Sequence, residues 1–298
     1  MQTRRRSSLV ATSLAVLLTS TACVDSKLTL TVLPNGSGTV QVNVHRNPAA
    51  ANVWLSRIPT TNRRSAVGLL FYRTLGAFDG VSAWTEAHTA ENSGGVTEHA
   101  VGYFQNVADL RVGGLGLDLA GAASSFEWST PQNTWSDRLH WRTMAQGLGQ
   151  FLLSTVPADA TKDLTNSSVP AMLRGLHLEF EVVLSGPVTN CDGCTFRKER
   201  SASIVLTDRD VLGAFDFVAQ YRARVNRGEL TLEQASAMID DRLSRLLPNL
   251  AVTAAAENRP DEVARFEQAF AKARVDFATS GIAEAIAAAR AMNNSAPK

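Results

Sequence analysis

Cys191 and Cys194 stand three residues apart around Asp192-Gly193, and two thiols at that spacing can do redox or metal chemistry. A turn brings residues i and i+3 within about 7 Å, which meets the Cα separation that a disulfide needs. A catalytic redox dithiol expects a strand before it and a helix after it. Here a strand is expected on both sides, so the pair is placed on a hairpin tip and read as a structural disulfide, Cys191–Cys194. It would close a very short loop, and its entropic gain should be small. A zinc site would need two more ligands. His177 is the nearest in sequence, but a lone histidine on the polar side of a strand is ordinarily just solvated.

The five histidines are His45, His88, His99, His140 and His177. None has the i, i+4 spacing of a helical metal pair. His88 and His99 can meet across a hairpin, with Glu86 and Glu98 beside them. Two histidines and a carboxylate form one reading of that group. The simpler one is polar side chains facing water on an amphipathic hairpin, so no metal ligand is assigned. Asp208-Arg209-Asp210 could be paired acids, but acids at a helix start are favoured by the helix dipole. Neither Gly-x-Ser-x-Gly nor His-Glu-x-x-His occurs. No catalytic residue and no cofactor are assigned, and the chain is read as a non-enzyme. Trp84, Trp128, Trp135 and Trp141 fall on expected strands. They could line a lipid or sugar pocket, although such residues more often fill a core.

The N-terminus carries a different chemistry. Arg4 to Arg6 precede an apolar run, Leu9 to Leu18, then the small residues Thr19 to Ala22 and Cys23. That is the order of an export signal. The run is too short for a spanning helix, which takes about 20 apolar residues. Arg5-Arg6 lacks the apolar residues that should follow in a twin-arginine signal. Ala22 directly before Cys23 resembles the lipobox of bacterial lipoproteins, with Ser20 where that motif usually has Leu. The resemblance implies a signal peptide over residues 1–22 and a thioether-linked diacylglycerol on Cys23, which becomes the first residue. The protein is then expected in the cell envelope, attached to a membrane by its lipid, with outer-membrane placement suggested by Val24. Of 29 basic residues, removal of three arginines leaves 26, against 28 acidic ones. A near-neutral chain of that kind has no electrostatic footprint for nucleic acid.

These groups must be positioned by the remaining elements. Leu28, Leu30 and Val32 alternate, as do Val40, Val42 and Val44, around Pro34-Asn35-Gly36-Ser37-Gly38. This is a hairpin signal, with Val24 to Ser26 as a short tether before it. A helix is expected over Asn62 to Ala77, on the stripe Val67, Leu70, Phe71 and Leu75. Two further hairpins follow, one near Trp84 and Tyr103 and one near Phe126 and Trp141. Leu178, Phe180, Val182 and Leu184 alternate with His177, Glu179 and Glu181, and Ser201 to Leu206 should pair with them. From Asp208, a plausible N-cap, the pattern turns helical. Gly228 stops the first helix, Thr231 and Gln234 form a capping box for the next, and a last helix starts near Pro260 with Val263, Phe266, Phe270, Ala273 and Phe277 on one side. The expected class is α+β: an antiparallel β-rich domain with an inserted helix over residues 23–207, then an all-α region over 208–298.

The stretches Pro34 to Val40 and Phe180 to Gly193, together with the lipobox, resemble the LppM-type bacterial lipoproteins. The likeness covers about residues 24–207. It departs from that family after Asp208, where helices without a membrane span replace the expected transmembrane helix. The resemblance implies contact with lipid or glycolipid at the envelope and no enzymatic residues. Two functions are therefore expected: binding of a lipid or glycolipid, marked by an apolar cavity lined by tryptophans, or a scaffold for other envelope proteins, marked by an uncovered Val263/Phe266/Phe270 stripe.

Overall fold

The computed structural model describes residues 24–56, 58, 62–113, 122–130, 136–145, 148–155, 175–247 and 249–295. The signal segment, Cys23 and Trp135 lie outside them. In chain order the strands are β1 (Val24–Val32), β2 (Gly38–Arg46), β3 (Phe78–Asp79), β4 (Ala83–Asn92), β5 (Gly95–Phe104), β6 (Arg111–Gly113), β7 (Ala122–Ser129), β8 (Ser136–Ala145), β9 (His177–Val183), β10 (Val188–Asp192), β11 (Phe196–Arg197), β12 (Ser201–Thr207) and β13 (Asn249–Ala255). The helices are α1 (Pro48–Leu55), α2 (Arg63–Gly76), α3 (Leu148–Thr155), α4 (Asp208–Asn226), α5 (Leu232–Leu246), α6 (Pro260–Thr279) and α7 (Ile282–Ser295).

The strands form two sheets. A seven-stranded sheet runs β11-β12-β9-β1-β2-β5-β4, and a six-stranded sheet runs β10-β13-β8-β7-β6-β3. All pairings are antiparallel except β1 with β9, which is parallel, with Leu28 opposite Phe180. The class is α+β, as expected. The period-two pattern does what it should. Val24, Leu28, Leu30, Val40, Val42, Phe180 and Val182 are all buried on one face, and each such side chain contributes about 1.5–3 kcal/mol by leaving water. The six-stranded sheet packs against that face, where the Trp141 ring of β8 meets Phe180 of β9 edge-on at 4.8 Å. The β1–β2 turn takes glycine at position 36 because φ there is +79° and a Cβ would crowd the Trp128 indole at 3.2 Å.

Several expectations are corrected. Residues 24–26 are no tether, since β1 starts at Val24 and Ser26 is already buried. The C-terminal region is not all helical: β13 sits between β8 and β10, with Leu250 opposite Trp141. A boundary after residue 207 would thus cut through the six-stranded sheet. Helices α1 and α3 were not expected. The N-cap of α4 is Thr207, not Asp208; Asp210 accepts from both the Thr207 backbone N–H and its hydroxyl at 2.8 Å. Asp208 instead accepts from the Gly175 N–H at 2.8 Å. The chain does not continue α6 past Gly281. It turns there at φ +73°, and α7 packs on α2, where Arg290 donates to the Gly76 and Phe78 carbonyls at 2.9 and 3.0 Å.

The Thr231–Gln234 capping box forms as expected, with bonds of 2.9 and 3.1 Å between them. It starts α5, which buries Ala235, Ile239 and Leu243 while its end residues Leu232 and Leu246 stay exposed. Thr231→Ala should lower stability by about 1 kcal/mol. A urea melt of the two proteins checks this.

Candidate functional site

The seven-stranded sheet has a second face, which is polar. Register sets its rows. His177, Asp25, His45 and Thr97 lie across β9, β1, β2 and β5; Glu179, Lys27, Asn43, His99 and His88 lie across the same strands and on to β4. Four of the five histidines therefore share one face. At the far end, Tyr103 and Ala83 are covered by α6, where the Phe266 ring lies tilted against the Tyr103 ring at 5.9 Å and the Phe270 ring stacks with it at 6.1 Å. The end near Val24 is open. A cleft of about 260 Å³ lies there, bordered by Asp25, Lys27, Asn43, His45, His88 and His99 among others.

The groups around the cleft hold one another in place. His177 Nδ1 is 3.0 Å from Asp25 Oδ1. Lys27 Nζ is 2.8 Å from Glu181 Oε2 and 3.1 Å from Glu179 Oε1. The Glu181 hydrogen bond is the main cause that holds the Lys27 ammonium above its usual range, against burial. Burial pushes the Glu181 carboxyl up, but hydrogen bonds from Lys27 and Ser201 and the charges of Lys27 and Lys198 outweigh it and leave it below its usual range. His99 Nδ1–H donates to Asn43 Oδ1 at 2.7 Å, and His88 Nδ1–H donates to the Glu86 carbonyl at 2.8 Å. A bulge between Thr85 and His88 makes the latter contact. Glu86 takes φ +52°, a backbone region that side-chain-bearing residues seldom occupy.

Glu98 does not join His88 and His99. It precedes His99 on β5, so alternation sends it to the opposite face. There it is buried and ion-paired with Arg46 of β2, while the Thr74 hydroxyl of α2 donates to its other oxygen at 3.2 Å. The sequence reading missed this pair.

The cysteines are placed differently from the expectation of a hairpin tip. Cys191 is the penultimate residue of β10 in the six-stranded sheet, and Cys194 precedes β11 in the seven-stranded one, so the motif lies on a crossover between sheets. Both are half-buried thiols, and Cys194 Sγ is 3.9 Å from the Cys191 carbonyl. Burial, with the neighbouring Cys194 thiol, pushes the Cys191 thiol up to about 12. Such a thiol is a poor nucleophile at neutral pH. The Cys191–Cys194 disulfide stands as a proposal for the oxidised protein. His177, on the outer face with Asp25, does not complete a metal site with them.

Trp84 and Trp141 fill the core, as base rates favour. Trp84 and Trp141 are buried, Trp84 edge-on to Phe78 and Trp141 tilted against Phe126 at 5.3 Å. Trp128 is half-buried over the Gly36 turn. None of the three borders the polar cleft. Among the described residues, no helix is long and apolar enough to cross a membrane.

Comparison with known proteins adds one match. The NMR structure of the folded domain of LppM from Mycobacterium tuberculosis is similar over 80% of this chain and 93% of that one, at 13% identity and a TM-score of 0.35. A score that low does not establish a shared fold. No family model and no curated protein matches.

Proposed function

We propose that the protein is exported, anchored to an envelope membrane through a lipid on Cys23, and works by binding, with the open polar face taking the head of a lipid or glycolipid. The observation that carries this reading is the position of the cleft. It lies at the end of the seven-stranded sheet where β1 begins, and β1 begins at the residue after Cys23. An anchor there leaves no linker, so the cleft is held within reach of headgroups. The tryptophan-lined cavity expected from the sequence has no support among the described residues, and the binding reading moves from an apolar pocket to a polar one. For the scaffold alternative, Tyr103 packs on Phe266 and Phe270 of the Val263/Phe266/Phe270 stripe of α6, which makes that stripe a weaker docking surface. No enzymatic role is proposed.

Native mass spectrometry of the protein exported from a bacterial host as Cys23→Ser tests the binding half without the anchor. The expected result is an additional mass that extraction identifies as lipid or glycolipid, reduced by Lys27→Ala. A clean apo mass under gentle conditions would remove the tight carrier and return attention to protein partners.

A further inference from the structure

The sign of the charge on the open face hangs on its histidines. His45, His88, His99 and His177 come from β2, β4, β5 and β9 and stand in two neighbouring rows. His88 is exposed and the other three are half-buried, so all four meet water. Histidine is the side chain whose charge ordinarily changes between about pH 5 and 8. The fixed charges that face them come from the neighbouring strands. Asp25 lies between His177 and His45, Glu179 and Glu181 hold Lys27, and Glu86 reaches His99 from the bulge. Asp210 caps α4 beside Thr207, at the end of the His177 row. Among the described residues, the fixed cations of these rows are Lys27 and Lys198, the latter beside Glu181. At the α6 end, Arg200 and Glu262 offset each other. With four neutral imidazoles the anions prevail, and with four charged ones the cations do.

At the cleft the change is sharper. Lys27 and Asp25 offset each other there, Glu98 is paired with Arg46 behind the sheet, and His45, His88 and His99 remain on the border. His88 and His99 stand opposite each other on β4 and β5, with ring centres 5.1 Å apart. Each already donates through Nδ1, to the Glu86 carbonyl and to Asn43. A second proton therefore goes to Nε2 and adds a donor to the ring. Two like charges directly opposite on a sheet repel. An anion that accepts from the charged rings removes that repulsion, so the protons and the ligand support each other.

We propose that this face is a pH-controlled site for the phosphodiester headgroup of an anionic lipid, weak near neutral pH and strong when mildly acidic. The proposal rests on the reading that the cleft takes a headgroup, and it adds the class of that headgroup and its regulation. A phosphodiester keeps one negative charge across the whole window, so the protein alone makes the switch. Lys27 is held above its usual range and Glu181 below its own, so neither changes charge with the imidazoles.

The test uses the exported Cys23→Ser protein at about pH 5.5 and about pH 7.5, near the two ends of the histidine window. One probe is phosphatidylcholine vesicles with and without phosphatidylglycerol, read by sedimentation. The other is the soluble headgroup glycerophosphoglycerol, read by isothermal titration. Both anionic probes are expected to bind about tenfold tighter at the lower pH. Between the two pH values, titration in buffers of different ionisation enthalpy should show net proton uptake. His88→Gln/His99→Gln should remove most of the pH dependence. His140→Gln, on β8 of the other sheet, should leave it intact. Circular dichroism melts at both pH values confirm that each variant is folded, and His88→Gln alone, at an exposed position, carries the test if the double variant is not. Equal binding at the two pH values overturns the switch and leaves the headgroup reading standing, as does pH dependence that survives the histidine variants. Binding to vesicles without binding of the soluble headgroup overturns the cleft as the site. No anion binding at either pH overturns the switch as well, and a lipid mass in the native spectrum then decides the headgroup reading separately.

Discussion

Glu98→Ala should lower the unfolding free energy by about 3–5 kcal/mol, the range for removing one partner of a buried ion pair. The Arg46 and Glu98 side chains have no exposure at all. Deleting the carboxylate leaves a buried guanidinium without this counter-charge, and takes from the Thr74 hydroxyl an acceptor it had used. A cation in that position is far more costly than the pair. The loss would be a large part of the 5–15 kcal/mol or so that a domain usually has. Arg46→Met/Glu98→Leu should recover most of it, because it removes both charges and keeps the volume. Urea melts of the single and double variants separate the two effects. A single variant that loses under about 1 kcal/mol would mean that the pair is solvated and ties no strands to α2.

Trp141→Ala should cost about as much, roughly 3–5 kcal/mol. The ring is fully buried where the two sheets face each other, tilted against Phe126 on its own sheet and edge-on to Phe180 on the other. Alanine there opens a cavity on both sides of the interface, and neither sheet can close it without moving the other. Trp141→Phe is expected to be far milder. It keeps much of the aromatic volume and removes an indole N–H that has no hydrogen-bond partner among the described residues. Chemical denaturation monitored by circular dichroism ranks the two. Equal losses would show that the indole's outer ring is what the interface needs.

Much of the fold was legible because it is local. Leu28, Leu30 and Val32 announce a strand by period two, and Thr231 with Gln234 announces a helix start by chemistry confined to one turn. The helix α1 carries its own start signal: Asn47 accepts from the Ala50 N–H at 2.9 Å, and Pro48 sits at the first helical position. Strand β13 also alternates, through Leu250, Val252 and Ala254, but its small residues merged into the alanine-rich stretch beside it. What could not be read was partnership. Alternation says which side of a strand faces inward, not which strand lies next to it. The parallel pairing of β1 with β9 and the crossing from one sheet to the other at Cys191 and Cys194 both depend on that. So does the gathering of His45, His88, His99 and His177, which come from four strands. Glu98 is the opposite case. Its place beside His99 in the sequence was enough to put it on the other face.

The parallel pairing bears on how the chain reaches this structure. Lys27 and Glu179, joined across β1 and β9, are 152 residues apart. The β1–β2 hairpin can close at once, yet one side of β1 keeps its hydrogen-bonding groups unpaired until β9 has formed. Pairings of such long range are slow, since the intervening loop must be closed before they give any return. For that interval the middle of the future sheet is a bare edge, open to the same edge of another chain. Refolding is therefore expected to be slow and to lose yield as protein concentration rises, with the loss set during assembly while the finished fold stays stable.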